Sequence, residues 1–125
     1  MKSSDMYLFV YGTLKNGFHN HHLLEDAEFI CSAATKQKYP MVNIEEYFPY
    51  LIDAEGIGHH VEGEVYKIDE EILAMLDILE GYPNLYNRHK IRVKSLGIEL
   101  QAITYFVNEK IDYQNLELLE SFEQN

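Results

Sequence analysis

The sequence is poor in cations, in cysteine and in long apolar runs, and each shortage excludes a class of protein. Its 125 residues include 10 Lys and Arg against 21 Asp and Glu, which gives a formal net charge of −11. Because binding to nucleic acid and to anionic membranes depends on cationic contacts with phosphate, we expect neither partner. No apolar run approaches the roughly 20 residues of a transmembrane helix. The acidic residues are spread along the chain, as on a solubilising surface.

Cysteine and targeting signals are equally scarce. Cys31 is the one cysteine, so no internal disulfide can form, which favours a reducing compartment. It stands in Phe29-Ile30-Cys31, a setting typical of a buried structural thiol rather than of a nucleophile. Residues 1–5 lack the apolar core of a signal peptide. We therefore expect a soluble, cytoplasmic protein.

Apolar segments separated by Gly, Pro and Asn predict a chain dominated by strands. Residues 6–11 are apolar on both faces, which is typical of a central buried strand. Residues 61–68 alternate between apolar and polar side chains, as in a half-buried strand. The other predicted strands are 28–36, 41–44, 50–53, 86–95 and 98–107.

Two or three short helices are predicted between and after these strands. Asn20 can act as the N-cap of a helix over residues 21–27. Asp69 can cap a second helix, which Gly81 ends. A third short helix is expected within residues 112–125, where leucines recur among polar residues.

The order of these elements predicts the fold class. Strands dominate and short helices are interspersed, which favours an α+β fold: a small mixed β-barrel of six or seven strands flanked by short helices. The length suits one domain with a proper core, spanning residues 1–125. We expect residues 1–5 and about 120–125 to be flexible.

Glu80 is the first candidate for chemistry because it is predicted at the C-terminal end of the second helix. There the negative end of the helix dipole raises the pKa of a carboxylate, and apolar neighbours would raise it further. Both effects move the group towards the range that is useful for acid/base catalysis. A solvated glutamate at a helix end is the structural alternative.

The loop Tyr11-Gly12-Thr13-Leu14-Lys15 is the second candidate, since it follows the first strand directly. A glycine at the end of a strand can release a loop whose backbone N–H groups are unpaired. Such a loop can hold a small anion without a Lys or Arg in the pocket. The alternative is an ordinary tight turn, and the chain has no phosphate-loop pattern.

Histidines are frequent but lack a metal-binding pattern. His19, His21 and His22 cluster, and His59 and His60 are adjacent. Neighbouring side chains point to different sides of a helix or strand, so neither group is a ready chelate. We expect no metal site and no cofactor.

Several other residues lie on predicted strands. Tyr86 and Tyr105 are second candidates for a pocket, because each hydroxyl could orient a substrate, although ordinary packing is the alternative. Glu62 and Glu64 share one strand face, which we expect to meet solvent. His89 is expected to be structural.

Taken in order, these motifs resemble a known family. The first half of the chain is similar to a gamma-glutamylamine cyclotransferase, of the gamma-glutamylcyclotransferase-like superfamily, at Tyr11-Gly12-Thr13-Leu14-Lys15, Asn20-His21 and Tyr39-Pro40. The second half is similar at Pro49-Tyr50-Leu51, Val61-Glu62-Gly63-Glu64-Val65-Tyr66, Leu76-Asp77, Glu80, Pro83 and Leu85-Tyr86-x-Arg88. The similarity covers about residues 6–107 and implies a small β-barrel with flanking helices.

The resemblance also implies a reaction and its residues. The substrate would be a small gamma-glutamyl amide, such as gamma-glutamyl-epsilon-lysine. Its alpha-amine attacks its own gamma-carbonyl, which gives 5-oxoproline and a free amine without metal or cofactor. The resemblance implies that Glu80 is the general base and acid, and that Tyr11, Gly12, Thr13 and Leu14 bind the substrate.

Alternatives remain open at this point. The substrate could be a gamma-glutamyl amino acid or a gamma-glutamylated biosynthetic intermediate. The chain could also be a non-catalytic module that binds a small molecule. The part after Val107 is shorter than in animal members of the family, so the sequence does not fix the amine. It does not fix the oligomeric state either.

Overall fold

The computed structural model describes residues 6–18, 20–44 and 49–122, and seven strands and one α-helix run through them. A short 3₁₀ helix, His21–Leu24, lies between the first two strands. The strands are β1 (Met6–Val10), β2 (Glu28–Thr35), β3 (Met41–Val42), β4 (Tyr50–Leu51), β5 (Glu62–Ile68), β6 (Tyr86–Ser95) and β7 (Ile98–Val107), and the helix is α1 (Glu70–Glu80).

Five of the strands close into a barrel in the order β1-β5-β2-β6-β7. Its pairs are antiparallel except for β1 and β7, which run parallel with Leu8 opposite Ile103 and close the barrel. The strands β3 and β4 pair with each other in a separate two-stranded sheet. The predicted mixed barrel is therefore confirmed, with two of its seven strands outside the barrel itself.

Strand β1 is buried on both faces, as its unbroken apolar sequence predicts. Phe9 packs in one core cluster with Val65, Val93 and Phe106. Its neighbours Leu8 and Val10 point the other way because side chains alternate along a strand. They pack in a second cluster with the apolar side chains of α1, which include Ile72 and Leu76. The helix thus lies against the outside of the barrel, next to β1.

Helix α1 begins and ends as its sequence predicts. The Asp69 side chain accepts a hydrogen bond from the N–H of Ile72 at 2.9 Å and caps the first turn. At the other end Gly81 adopts a left-handed conformation, with φ 66° and ψ 35°, that a residue with a side chain rarely takes. Glu80 is consequently the last residue of the helix.

Two helix predictions were wrong. Only four residues, His21–Leu24, form the 3₁₀ helix, and the Asn20 side chain does not cap it. In the described part of the C-terminal segment, residues 108–122, no helix forms. That segment packs on the barrel instead: the N–H of Leu119 donates to the carbonyl of Met41 at 2.8 Å, and Phe122 is fully buried.

The structure also bears on the expectations for Cys31, for the two ends of the chain and for membrane-spanning helices. Cys31 is half-buried rather than fully buried. Residues 1–5 and about 120–125 are predicted to be flexible, and of these residues 1–5 and 123–125 lie outside the described ones. Phe122 is described, and its carbonyl accepts a hydrogen bond from Lys15 Nζ at 2.9 Å. No helix within residues 6–18, 20–44 and 49–122 is long and apolar enough to cross a membrane.

Candidate active site

A cavity of about 280 Å³ opens where β1 ends, between the loop after that strand and the end of α1. It contains both features that the sequence singled out. Its walls are formed by Phe9, Val10, Tyr11, Gly12, Thr13, Leu14, Asn20, Pro49, Leu79, Glu80, Leu85, Tyr86 and Tyr105. All five predicted site residues, four on the loop and one on the helix, therefore line one pocket.

The loop carries backbone N–H groups that the protein itself does not use. Within the described ranges, no acceptor takes the N–H groups of Gly12, Thr13 or Leu14. The turn is closed instead by the N–H of Lys15, which donates to the Gly12 carbonyl at 3.0 Å. Unpaired N–H groups in a turn form a concave site for an anion.

Gly12 is required by close approach rather than by an unusual φ. A Cβ at this position would lie 3.0 Å from both Cδ and Cγ of Pro49. Pro49 is buried and lines the same pocket. The glycine thus allows the loop to approach the wall formed by Pro49.

Asn20 holds the loop after β1 in place through two hydrogen bonds to Thr13. Its Nδ2 donates to Thr13 Oγ1 at 2.8 Å, and its backbone N–H donates to the Thr13 carbonyl at 3.0 Å. Next to it, His21 Nδ1 lies 2.9 Å from the Leu14 carbonyl. By residue type Asn20 is predicted to cap a helix, and Asn20-His21 is one of the motifs that resemble the family. In the structure the Asn20 side chain bonds to the loop and does not cap the 3₁₀ helix.

Glu80 is a half-buried carboxylate without a partner among the described residues. No described donor bonds to it and no described cation pairs with it. Burial raises its pKa from 4.5 to about 7. Removal from water disfavours the charged form, and none of the described cations compensates for it. The group therefore exchanges its proton near neutral pH, as an acid/base catalyst should.

Three tyrosines complete the pocket. The Tyr11 hydroxyl donates to the Tyr105 carbonyl at 2.7 Å. Burial first, and then the neighbouring Tyr86 and Glu80, raise the pKa of Tyr11 well above its ordinary value. Tyr86 and Tyr105 line the pocket as the sequence suggested, but the Tyr105 hydroxyl donates to Asp77 Oδ1 at 2.7 Å. It therefore supports the helix rather than facing a ligand.

An ion pair holds the last turn of α1 against the barrel. Arg88, on β6, donates from Nε and from its terminal nitrogen to the two Asp77 oxygens at 2.8 and 3.0 Å. Burial opposes the charged carboxylate, but the hydrogen bonds from Arg88 and Tyr105 prevail and lower the pKa of Asp77. Since Asp77 precedes Glu80 by three residues, this pair fixes the turn that carries Glu80.

The remaining candidates lie elsewhere. Among the described residues, no group of three His, Cys, Asp or Glu could hold a metal ion. His60 contacts the Thr35 carbonyl, and His89, on β6, stacks on Phe106 of β7. Glu62 faces solvent as expected. Glu64 is half-buried, and it accepts hydrogen bonds from the N–H of Asn16 and from the Tyr66 hydroxyl. His19 lies outside the described residues.

Fold and pocket together define a class of protein: a small mixed barrel with a half-buried carboxylate and a turn with unused N–H groups around one pocket. The sequence matches a known family. Residues 8–124 match the model described as gamma-glutamyl cyclotransferase, AIG2-like. The chain belongs to this family, which confirms the resemblance seen in its motifs.

Similar proteins agree with this placement. The chain is 45% identical to gamma-glutamylaminecyclotransferase A of Danio rerio over 107 aligned residues. The alignment covers 78% of this chain and 66% of that protein. The chain is 44% identical to gamma-glutamylaminecyclotransferase of Homo sapiens over 95 residues, 71% of this chain and 62% of that protein. The match thus spans just under two thirds of both named relatives.

The fold is shared with solved structures of the same group. The crystal structure of an AIG2-like protein from Mus musculus superposes with a TM-score of 0.88 at 33% identity. The superposition covers 95% of this chain and 88% of that one. The barrel, the separate two-stranded sheet and the position of α1 therefore follow the fold of this family.

Proposed function

We propose that this protein is a gamma-glutamylamine cyclotransferase in which Glu80 is the general base and acid. Tyr11, Gly12, Thr13 and Leu14 bind the gamma-glutamyl part of the substrate. The observation that carries the proposal is a carboxylate of pKa about 7 in the same small pocket as a turn with unused N–H groups. The names of its relatives, such as gamma-glutamylaminecyclotransferase of Homo sapiens, support the same reaction.

The first step is removal of a proton from the substrate. The alpha-amine of a gamma-glutamyl amide is protonated near neutral pH and cannot attack in that form. Glu80 as a carboxylate accepts this proton, and the freed nitrogen then attacks the gamma-carbonyl carbon of the same molecule. Because nucleophile and electrophile belong to one molecule, the enzyme need only hold the folded conformation.

The second step expels the amine. As the five-membered ring closes, the bond between the gamma-carbon and the amide nitrogen breaks, and Glu80 returns its proton to the departing nitrogen. Two protons leave the attacking nitrogen over the whole reaction and two reach the departing one. The products are 5-oxoproline and an ammonium ion, so no net proton is consumed.

The turn after β1 stabilises negative charge. The N–H groups of Gly12, Thr13 and Leu14 are available to hold the alpha-carboxylate of the substrate or the oxyanion of the tetrahedral intermediate. The Asn20 contacts with Thr13 keep this turn in one conformation before the substrate arrives. A preorganised donor avoids reorganisation during the reaction.

The environment of the reaction follows from the same features. We propose that the protein acts in the cytoplasm on a free small molecule. A formal net charge of −11 disfavours nucleic acid and anionic membranes as partners. The single cysteine fits a reducing compartment.

The test is release of 5-oxoproline, followed by mass spectrometry, from gamma-glutamyl-epsilon-lysine and from a gamma-glutamyl amino acid. Wild type and Glu80→Gln are compared. We expect release by wild type and a loss of at least about a hundredfold in Glu80→Gln, since general acid/base groups contribute about 10²–10⁴. Glu62→Gln, on the solvent-facing side of β5, is the matched control and should retain activity.

Folding is checked separately by circular dichroism of each variant. A folded and fully active Glu80→Gln protein would remove Glu80 from the proposed role. Binding of 5-oxoproline by a folded wild type that turns over neither substrate would favour the non-catalytic binding module instead.

A further inference from the structure

We infer that Lys15 is a positioning residue for substrate binding. Its ammonium group ties the turn after β1 to a C-terminal strap, defined as residues 119–122, and so holds the N–H groups of that turn in place. The inference rests on the proposed function, in which the turn binds the gamma-glutamyl part of the substrate. Lys15 is the last residue of the loop motif that the sequence singled out, yet it does not line the pocket.

The burial of Lys15 is the first observation. Lys15 is 8% exposed, and among the described residues it is the one buried side chain that carries a charge. Its neighbours Asn16 and Gly17 are both exposed. A lysine beside exposed residues can extend its long side chain into water. Because burial of an ammonium group is costly unless the group is hydrogen-bonded, the interior contacts of Lys15 must offset that cost.

Those contacts join the turn to the C-terminal strap. Lys15 Nζ donates a hydrogen bond to the Phe122 carbonyl at 2.9 Å, across 107 residues of sequence. The same nitrogen lies 4.8 Å from the centre of the Phe18 ring, in a cation–π contact. The rings of Phe18 and Phe122 also touch, with their centroids 5.7 Å apart. A hydrogen bond from a charged donor is about twice as strong as a neutral one, so the link is firm.

The strap is itself fixed to the barrel and to the sheet beside it. The Leu119 N–H donates to a carbonyl of β3, and the Glu120 carbonyl accepts from the N–H of the first residue of β5, each at 2.8 Å. Phe122 is 1% exposed and packs in the same core cluster as Phe9 and Tyr11, which both line the pocket. The carbonyl that receives the Lys15 ammonium group therefore has a fixed position.

Lys15 can pass this support to the turn because its backbone closes the turn. Its N–H donates to the Gly12 carbonyl at 3.0 Å, so Thr13 and Leu14 lie between two joined residues. The Asn20 side chain holds the turn at Thr13, and the Lys15 side chain holds its end. Without the second contact the N–H groups would lose part of their alignment. A displacement of about 1 Å in a group that positions substrate can cost about a hundredfold in rate.

The test is the split between KM and kcat in Lys15→Met, which keeps the long side chain and removes the ammonium group. Release of 5-oxoproline is measured with the better of the two substrates named above, and circular dichroism gives the fraction of folded protein. Because the turn binds the glutamyl part before and during the reaction, we expect KM to rise about tenfold and kcat to change less than about threefold. The Kd of 5-oxoproline, measured by calorimetry, should rise by a similar factor.

A control and a partner variant sharpen the test. Lys36→Met removes the same charge from a lysine that pairs with Glu99 outside the pocket, and it should leave KM unchanged. Phe122→Ala removes the ring from the strap and should also raise KM. Because both changes break one link, the double variant with Lys15→Met should exceed the larger single effect by less than about twofold.

The milder change Phe122→Leu keeps the inference testable if Lys15→Met or Phe122→Ala fails to fold. It retains most of the buried apolar surface but loses the ring contact with Phe18, and it should raise KM about threefold.

The outcomes separate this inference from the proposed function. Folded variants with unchanged KM and unchanged 5-oxoproline affinity would overturn the inference alone, since a merely structural role changes the amount of folded protein and not its affinity. Fully additive effects of Lys15→Met and Phe122→Ala on KM would do the same. A folded wild type without turnover would refute the proposed function; the Kd comparison then decides the inference, which falls if 5-oxoproline does not bind.

Discussion

Replacing Glu80 by Gln should make the protein more stable at alkaline pH while it abolishes catalysis. The reason is that burial raises the pKa of Glu80 from 4.5 to about 7. Between these two values the folded protein holds a proton that the unfolded chain has released. The free energy of unfolding therefore falls as the pH rises through this interval, because the folded state must bury a charge.

The magnitude follows from the size of the pKa change. Each tenfold change in proton affinity corresponds to about 1.4 kcal/mol, so a rise from 4.5 to about 7 corresponds to about 3 kcal/mol. The whole stabilisation is present below pH 4.5 and is lost as the pH passes through about 7. Glutamine has nearly the same shape and no charge, so Glu80→Gln should escape this loss.

The assay is urea unfolding at a series of pH values from 4.5 to 8.5. The chain has no tryptophan but ten tyrosines, so tyrosine fluorescence and far-ultraviolet circular dichroism are suitable probes. We expect Glu80→Gln to exceed wild type by about 2–4 kcal/mol at pH 8 and by much less at pH 4.5. Glu62→Gln, at an exposed position, should show no such change with pH.

A difference between Glu80→Gln and wild type that does not vary with pH would refute the reasoning. So would a Glu80→Gln protein less stable than wild type at pH 8. Either result would mean that the Glu80 carboxylate is solvated in the folded protein, and its role as a base near neutral pH would lose its physical basis.

Two further predictions concern the same turn of α1. For an active substrate, kcat/KM should fall about tenfold per pH unit below pH 7, because Glu80 must be unprotonated in the free enzyme; a profile that stays flat down to pH 5.5 would contradict this. The side chains of the Asp77–Arg88 pair are only 20% and 24% exposed, so their coupling energy should be about 1–3 kcal/mol. A double-mutant cycle of Asp77→Asn and Arg88→Gln, followed by urea unfolding, measures it. Additive effects would show that the pair does not hold the helix end.

Local patterns were sufficient to predict the parts of the fold whose cause is local. The two-sided apolar sequence of β1 and the capped helix from Asp69 to Gly81 each contain their own signals. Glu80 could be placed at the helix end for the same reason. Its burial could not, because the walls around it come from residues distant in sequence, such as Tyr11 and Pro49.

Other residues had local signals that tertiary contacts overrode. Asn20 is a good N-cap by type, but its side chain reaches Thr13, seven residues back, in a loop whose shape the sequence does not show. Leu119 is one of the leucines that predicted a helix among polar residues, and Phe122 follows it in the same segment. Their backbone and side chains instead pack on the barrel, where burial outweighs the small differences in helix propensity.

The meeting of loop and helix at one pocket follows from the lengths of two elements. Strand β5 runs antiparallel to β1, so it ends beside Met6, at the opposite end of β1 from the loop. Helix α1 starts there and returns along β1, against Leu8 and Val10. Its eleven residues, at about 1.5 Å each, span about 16 Å, and the five residues of β1, at about 3.3 Å each, span about the same distance.

The end of the helix therefore arrives level with the turn after β1, and Glu80 and that turn line the same cavity. The match is sensitive to register, because one residue more or less in α1 would rotate its last side chain by about 100°. The Asp77–Arg88 pair lies in the same turn and holds it at the required angle. The geometry of the candidate site thus depends on the equal length of one strand and one helix, and the helix is fixed at its start by the Asp69 cap and at its end by the Asp77–Arg88 ion pair.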